Sequence, residues 1–372
     1  MDKIMDVYIA KTDYATPSEA HANLSLPAMP FELFDALDRA RIQQGDELYF
    51  QVEEYYAFEN MEPFISDAVN LLELNALCQK LSELSERQSS AFEGLLKMEI
   101  AKKNGPIAIG KLIDLASSTD CCHVVGEALN DSQLGRFYAD NGFVPELDNL
   151  PDKVFDLLDF ERIGRKLRQG EGGVFANGGY VVQHSELAEV YKDMTFTMQT
   201  PDYQILLEDM QGNRIELPQQ NLPDAGVYAC VDCRIPLLMA ATDAADIQDV
   251  NAFAETLKGM GDKPMRKYKA VLSASGCDSL EEAAVLAEHL DEYKFDEKVS
   301  SFREVALAEM HFLMNGVGTG LLSQYVCLTD YGKAVLKKDN AVITPYGHLV
   351  REDHQPIQTP LERQTQSGME MM

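Results

Sequence analysis

Apolar and polar residues alternate with a period of two in DVYIAK (Asp6 to Lys11) and ELYFQVEEY (Glu47 to Tyr55), which predicts two strands. Between them a helical pattern runs from about Phe31 to Ile42. The period then changes. Leu74, Leu77, Leu81 and Leu84 recur at three and four, placing one leucine stripe on a helix from about Val69 to Leu84, and the stripe reads as core. Further helical patterns cover Gln88 to Met98, Ile107 to Ser117 and Asp131 to Asp140, the last stopped by Asn141-Gly142. Short helices are expected around Pro151 to Leu158 and Phe160 to Arg168, followed by a hairpin in EGGVFANGGYVV (Glu171 to Val182).

The second half opens with YQILLEDMQGNRIEL (Tyr203 to Leu217), where two alternating runs flank Gly212-Asn213 and predict a β-hairpin. A strand fits GVYACVD (Gly226 to Asp232), and helices are expected to dominate from there to about Leu336. From Arg351 the chain is rich in Gln, Pro and Thr with little apolar content, so 351–372 is read as a disordered tail.

These pieces repeat. ELNALCQKLSEL (Glu73 to Leu84) aligns without a gap on DVNAFAETLKGM (Asp249 to Met260), and Phe92, Leu95 and Leu96 fall on Tyr268, Val271 and Leu272 at the same offset. Leu115, Ala116 and Asp120 match Leu286, Ala287 and Asp291. IGRKLRQGEGGVFANGGYV (Ile163 to Val181) lies over YGKAVLKKDNAVITPYGHL (Tyr331 to Leu349), with Gly164 on Gly332, Val174 on Val342 and Gly179 on Gly347. Three blocks in one order predict a duplication. The expected organisation is an acidic unit over 1–190, with sub-segments of about 1–68, 69–128 and 129–190, then a diverged α+β copy over 191–350.

At 372 residues, 45% of them hydrophobic, the chain is long enough for more than one core. Its 61 acidic and 32 basic residues give a net charge of −29, a field that repels DNA, RNA and anionic lipid and attracts basic surfaces. Direct nucleic-acid binding and membrane association are therefore not expected. Seven cysteines without dense, regular spacing fit a reducing compartment, and MDKIMDVYIA has neither a basic nor an apolar leader region, so a cytoplasmic location is expected.

Sequence signals for catalysis are sparse. Cys230 and Cys233 form one C-x-x-C, and only Cys121, Cys122 and His123 in the other half could complete a tetrahedral metal site; partly buried, reduced thiols are the preferred reading, with no metal and no cofactor. GVGTG (Gly316 to Gly320) lacks dinucleotide spacing and reads as a break between helices. Paired carboxylates such as Glu53 with Glu54, or Glu59 with Glu62, could serve a hydrolase. Adjacent strand residues face opposite ways, however, and the chain has no tryptophan on which a sugar could stack.

What stands out is a run of acids. No lysine or arginine occurs between Arg41 and Lys80, an interval that holds Asp46, Glu47, Glu53, Glu54, Glu59, Glu62, Asp67 and Glu73. Solubility requires net charge but not clustering, and clustered carboxylates repel by roughly 0.6 kcal/mol per pair at about 7 Å in water. Duplex DNA carries one charge per about 1.7 Å of axis, so the whole net charge equals roughly 50 Å of bare duplex. A protein with carboxylates in place of phosphates could fill a basic DNA channel.

The first half resembles the ArdA antirestriction proteins of conjugative plasmids and transposons. The resemblance is carried by VYIAK (Val7 to Lys11), LSLP (Leu24 to Pro27), VEEYYAFENMEPFISDAVNLLELNAL (Val52 to Leu77), STDCCHV (Ser118 to Val124), LGRFYADNGFVPELDNLPDKVFDLLDFERIGRKL (Leu134 to Leu167) and VFANGGYVV (Val174 to Val182), in that order over most of 1–185. It implies an elongated α+β protein of two tandem ArdA-like units built from small mixed sub-domains. It also implies a non-catalytic DNA mimic that occupies the DNA groove of a type I restriction-modification enzyme.

Under that resemblance the working groups are phosphate-mimic carboxylates. One set is the run above; the other is Asp140, Glu146, Asp148, Asp152, Asp156, Asp159 and Glu161. Tyr49, Tyr55, Tyr56 and Phe58 are expected to pack the sheet beneath them. Family members are commonly half this length and pair as dimers, so the second copy is expected either to replace the partner within one chain or to accompany a homodimer. Gly332-Lys333 and Lys337-Lys338 interrupt the acidic pattern there. The alternatives are an acidic regulatory protein of a mobile element that binds another basic partner and, behind it, a carboxylate hydrolase.

Overall fold

The computed structural model describes residues 2–11, 20–43, 46–65, 69–102, 107–147, 150–223 and 226–358. Helices and small antiparallel sheets alternate along the chain, an α+β arrangement. The first elements are β1 (Met5–Ala10), β2 (His21–Leu26), α1 (Pro30–Arg39), β3 (Tyr49–Tyr55) and a 3₁₀ turn over Glu59–Phe64. Then come α2 (Leu71–Ser82), α3 (Glu86–Ala101), α4 (Ile109–Ala116), β4 (Cys122–Val125), α5 (Asp131–Asp140), α6 (Asp152–Phe155), α7 (Phe160–Glu171), β5 (Val174–Ala176) and β6 (Gly179–Gln183).

The leucine stripe behaves as its spacing predicts: Leu71, Leu74, Leu77 and Leu81 are buried on α2. The helix begins where Asn70 accepts from the Leu72 amide at 2.8 Å and Glu73 reaches back to the Asn70 amide at 3.4 Å, a capping box. It ends at Ser82, so Leu84 lies beyond it. Ser85 caps α3 and Asn130 caps α5 in the same manner, each accepting from the third amide onward.

The second half continues with β7 (Ile205–Asp209), β8 (Arg214–Leu217), β9 (Tyr228–Cys233), α8 (Met239–Ala244), α9 (Ile247–Lys258), α10 (Asp262–Ser275), α11 (Leu280–Glu288), β10 (Tyr293–Asp296), α12 (Phe302–Leu313), α13 (Thr319–Leu322), α14 (Leu328–Asp339), β11 (Val342–Thr344) and β12 (Gly347–Arg351). The β7–β8 hairpin forms as expected, its turn closed by Asp209, which accepts from the Gln211 and Asn213 amides at 2.8 Å. Helices dominate to about Leu336 as expected, interrupted by the short β10, which forms a sheet with β11 and β12 beyond that point. Regular structure reaches Arg351, and of the expected tail only 351–358 falls within the described residues.

The two halves share one plan. Sheets β2-β1-β3 and β8-β7-β9 both put their first strand in the centre; sheets β4-β6-β5 and β10-β12-β11 both put their last strand there. The matched residues do matching jobs. A Cβ on Gly164 would collide with the Asp131 carbonyl of α5, and one on Gly332 would collide with the Phe302 carbonyl of α12, so only glycine lets each helix pair approach this closely. Gly179 and Gly347, at φ +134° and +153°, open β6 and β12 against the backbone of Val125 and Asp296. Phe92, Leu95 and Leu96 on α3 are as buried as Tyr268, Val271 and Leu272 on α10.

Compactness does not follow the sequence halves. One unit gathers 1–7, 25–27 and 52–198; the other gathers 8–24, 28–51 and 199–372. The core of the latter combines Ile205, Leu207 and Leu217 of its hairpin with Phe253, Leu257, Tyr268, Leu272, Leu286 and Leu349. Helix α1 belongs to this unit. The Phe31 amide donates to Asp232 at 3.2 Å, and Lys269 on α10, only 3% exposed, pairs with Asp35 at 2.8 Å and Asp38 at 3.0 Å. The Tyr346 hydroxyl adds a bond to Asp35 at 2.9 Å. Among the described residues, no helix is long and apolar enough to cross a membrane.

Candidate functional site

The acidic face is built on β3 and the 3₁₀ turn that follows it. Backbone bonds from the Tyr56 and Ala57 amides to the Ile4 carbonyl, at 2.9 and 3.3 Å, hold the end of the strand. Phe58 then adopts a left-handed conformation, φ 56°, and sets its ring edge-on to the buried Phe92 with centroids 5.3 Å apart. Met61 is fully buried in the turn. These two apolar anchors fix a segment whose glutamates are exposed.

Glu53 and Glu54 on the strand, and Glu59 and Glu62 on the turn, are all exposed. None has an ion-pair partner among the described residues, and all four lie in the unit that contains 52–198, Glu53 and Glu54 on opposite sides of β3 as strand neighbours. In a 3₁₀ turn residues three apart eclipse, which puts Glu59 and Glu62 on one side about 6 Å apart along the axis. Burial, and after it the charge of Glu62, pushes the Tyr55 hydroxyl up to about 12.

Tyr56 departs from its expected place in the sheet. Its ring is 49% exposed, and its hydroxyl lies 2.6 Å from Asp6 and 3.0 Å from Glu54. The phenol has one hydrogen for two carboxylates, so it bridges them as a shared donor. Hydrogen bonding to Asp6 and then to Glu54 raises its titration well above the usual range, and the proton stays on. Burial alone would raise Asp6, but hydrogen bonds from Ser25 and Tyr56 and the charge of Lys3 hold it below the usual carboxylate range. Asp6 is a member of this face that sequence reasoning missed. Its outward position in the alternation of β1 is the signal that was available.

Other expected members do different work. Asp46 is compensated: Lys11, far upstream in sequence, folds back to 2.6 Å, and the Gln43 amide adds a bond at 2.8 Å. The hydrogen bond from Lys11 is the leading cause of its lowered titration. Glu73 is half-buried, completing the α2 capping box and accepting from the Tyr191 hydroxyl at 2.5 Å, so it is a positioning group within the fold. Glu47 is exposed, in the unit that contains α1.

The second acidic stretch is of mixed sign. Asp140 pairs with Arg136 at 2.8 Å and Glu161 pairs with Arg165, both across one helical turn. Asp159 caps α7, accepting from the Arg162 amide at 3.0 Å. Glu146 and Asp156 are exposed, with no ion pair among the described residues. Asp152 is placed as the first residue of α6, while Asp67 and Asp148 lie outside the described residues. Helical spacing sets bases opposite acids here, which the count of carboxylates concealed.

The cysteines are free thiols, with Cys233 buried in β9 and Cys230 half-buried. No group of three or more His, Cys, Asp or Glu side chains suited to a metal ion occurs among the described residues. Gly316 and Gly318, both at positive φ, turn the chain between α12 and α13, the helix break that the spacing of GVGTG predicts. No protein-family model matches the chain, and no curated protein matches it.

Proposed function

We propose that the chain is a non-catalytic, cytoplasmic DNA mimic that seats its carboxylates in the basic DNA groove of a type I restriction-modification enzyme. The observation that carries this reading is the quartet Glu53, Glu54, Glu59 and Glu62: exposed, without cationic partners among the described residues, and held on a strand and turn pinned by Phe58 and Met61. The resemblance of 1–185 to ArdA proteins supplies the class of target. An axial step of about 6 Å between Glu59 and Glu62 is comparable to two nucleotide steps of about 3.4 Å on one DNA strand.

Four charges correspond to only about 7 Å of duplex axis, so this face is an anchoring point and the wider field must contribute the rest. The shared plan of the two halves supports a second element of the proposal, an internal pseudo-dimer in which the second copy stands in for a separate partner. Light scattering on the full chain tests it: a homodimer speaks against an internal substitute.

The experiment for the main reading is plating of unmodified phage on a restricting host. Expression of the chain should raise plating efficiency, and the quadruple change E53K, E54K, E59K and E62K should abolish the effect while the protein remains folded. DNA should compete with the chain for the purified enzyme, and rising salt should weaken the complex. Unchanged restriction would overturn the reading. It would favour the second one, an acidic regulator of another basic partner.

A further inference from the structure

Arg41 sits where a glycine would be expected. It follows the last turn of α1 at φ 60°, with its amide bonded to the Asp38 carbonyl at 3.2 Å and the Ile42 amide bonded to the Leu37 carbonyl at 3.0 Å. This is the left-handed cap that closes a helix, a conformation costly for any residue with a Cβ. A backbone outlier of this kind calls for a compensating use of the side chain.

Among the described residues the guanidinium makes one bond, Nη1 to the Asp38 carbonyl at 3.3 Å. Its Nε and Nη2 are buried, and neither finds an acceptor among the described residues. Neighbouring carboxylates attract it without bonding it, because they are engaged elsewhere. Asp38 accepts from Lys269 at 3.0 Å, Glu297 from Arg266 at 2.8 Å, and Glu304 from the Ser300 amide and hydroxyl at 2.6 and 2.9 Å. Burial pulls the Arg41 titration down to about 10, which leaves it charged at neutral pH. A guanidinium with two buried, unmet donors is rare in a folded protein.

Arg41 lines a cavity of about 360 Å³ within the unit that contains α1, together with His21, Asn23, Arg39, Ser300 and Thr344. Arg39 is held by Asp35 at 3.0 Å and by the Asn23 carbonyl at 3.3 Å, so its charge stays beside the cavity. In a chain of net charge −29 this is a local gathering of arginines around a space of small-ligand size.

We propose that the cavity binds a small oxyanion, a phosphate or carboxylate group, and that the Arg41 guanidinium, whose Nε and Nη2 are closed to solvent in this structure, turns that edge toward the ligand so that two of its oxygens accept side by side. That edge of the guanidinium is the fork that meets such groups bidentately. The site is independent of the acidic face and of any restriction enzyme.

Calorimetric titration of the full chain with sodium phosphate and with sodium citrate, against sodium chloride at matched ionic strength, tests the site. At least one of the two anions should bind saturably at one site per chain, and the better of them identifies the group. R41G relieves the left-handed strain, so it should fold and melt no lower than the parent while binding about ten- to a hundredfold more weakly. R41K keeps the charge but loses the fork, and should also weaken binding. In the parent, the Arg41 Nε–H resonance should shift on titration. No saturable binding beyond chloride, unchanged affinity in R41G, or an unmoved Nε–H resonance would each overturn the proposal.

Discussion

Helices α3 and α10 occupy the same place in the two halves and bury the same three apolar positions, yet they use one matched polar position in opposite ways. On α3 it is Glu93, which accepts from the Asn177 side chain at 3.1 Å and from its amide at 3.3 Å, tying down the β5–β6 turn. On α10 it is Lys269, which lies over the Tyr346 ring beside the β11–β12 turn and grips Asp35 and Asp38 of α1. The two helices share their apolar positions and carry opposite charge at this one. A scaffold fixed by apolar positions leaves its polar positions free to acquire new partners.

Separate substitutions test that contrast. K269M should cost about 2–3 kcal/mol in denaturant unfolding, because it removes the buried cation that Asp35 and Asp38 share and leaves Asp35 with Arg39 alone. E93Q on α3 should cost about 1 kcal/mol or less, since its partners are partly solvated. Equal losses from the two changes would break the contrast.

The third strands of the first sheets differ in the same sense. β3 carries Glu53 and Glu54 to the surface, whereas β9 buries Asp232 completely. Asp232 accepts from the Tyr203 hydroxyl at 2.8 Å, the Cys233 amide at 3.0 Å and the Phe31 amide. Burial outweighs these bonds and pushes its carboxyl from 3.8 up to about 6. The folded state thus holds this proton more tightly than the unfolded chain. Its stabilising contribution is full below about 3.8 and is lost as pH rises through about 6. Unfolding measured at pH 4 and at pH 7.5 should show a difference of about 2–3 kcal/mol that D232N removes. A pH profile unaltered by D232N would show that the strand does not set it.

Where the halves agree, matched changes should act alike. G164A and G332A each push a methyl group into a facing carbonyl and should each cost about 1–3 kcal/mol. A large difference between them would mean that one helix pair can separate and the other cannot. The smallest stability change is expected for E53Q with E54Q, within about 0.5 kcal/mol, because both side chains are exposed.

Much of this was legible in the sequence, for local reasons. The spacing of Leu74, Leu77 and Leu81, the Gly212-Asn213 turn and the paired glycines all act within one element or between neighbours. Strands β2, β4, β10, β11 and β12 escaped notice because three to six residues give alternation too little length to register. The exposure of Glu53, Glu54, Glu59 and Glu62 followed from their pattern. The neutralisation of Asp46 did not, since Lys11 lies outside the cation-free interval and reaches it only through the fold. Tyr56 was misplaced because an aromatic residue at the end of a strand can as well bridge two acids as join a core. Asp35 and Asp38 looked like the polar face of α1, and nothing near them in sequence announces Lys269.

The allegiance of α1 changes what counts as a separable piece. Cutting the gene after residue 190 would put Asp35 and Asp38 on one polypeptide and their lysine on the other. Neither product would then be self-sufficient at this contact, and the two would have to meet to restore it. The two halves share a plan but are interlaced in their chain path, so co-expressed fragments would complement each other instead of acting as two independent halves.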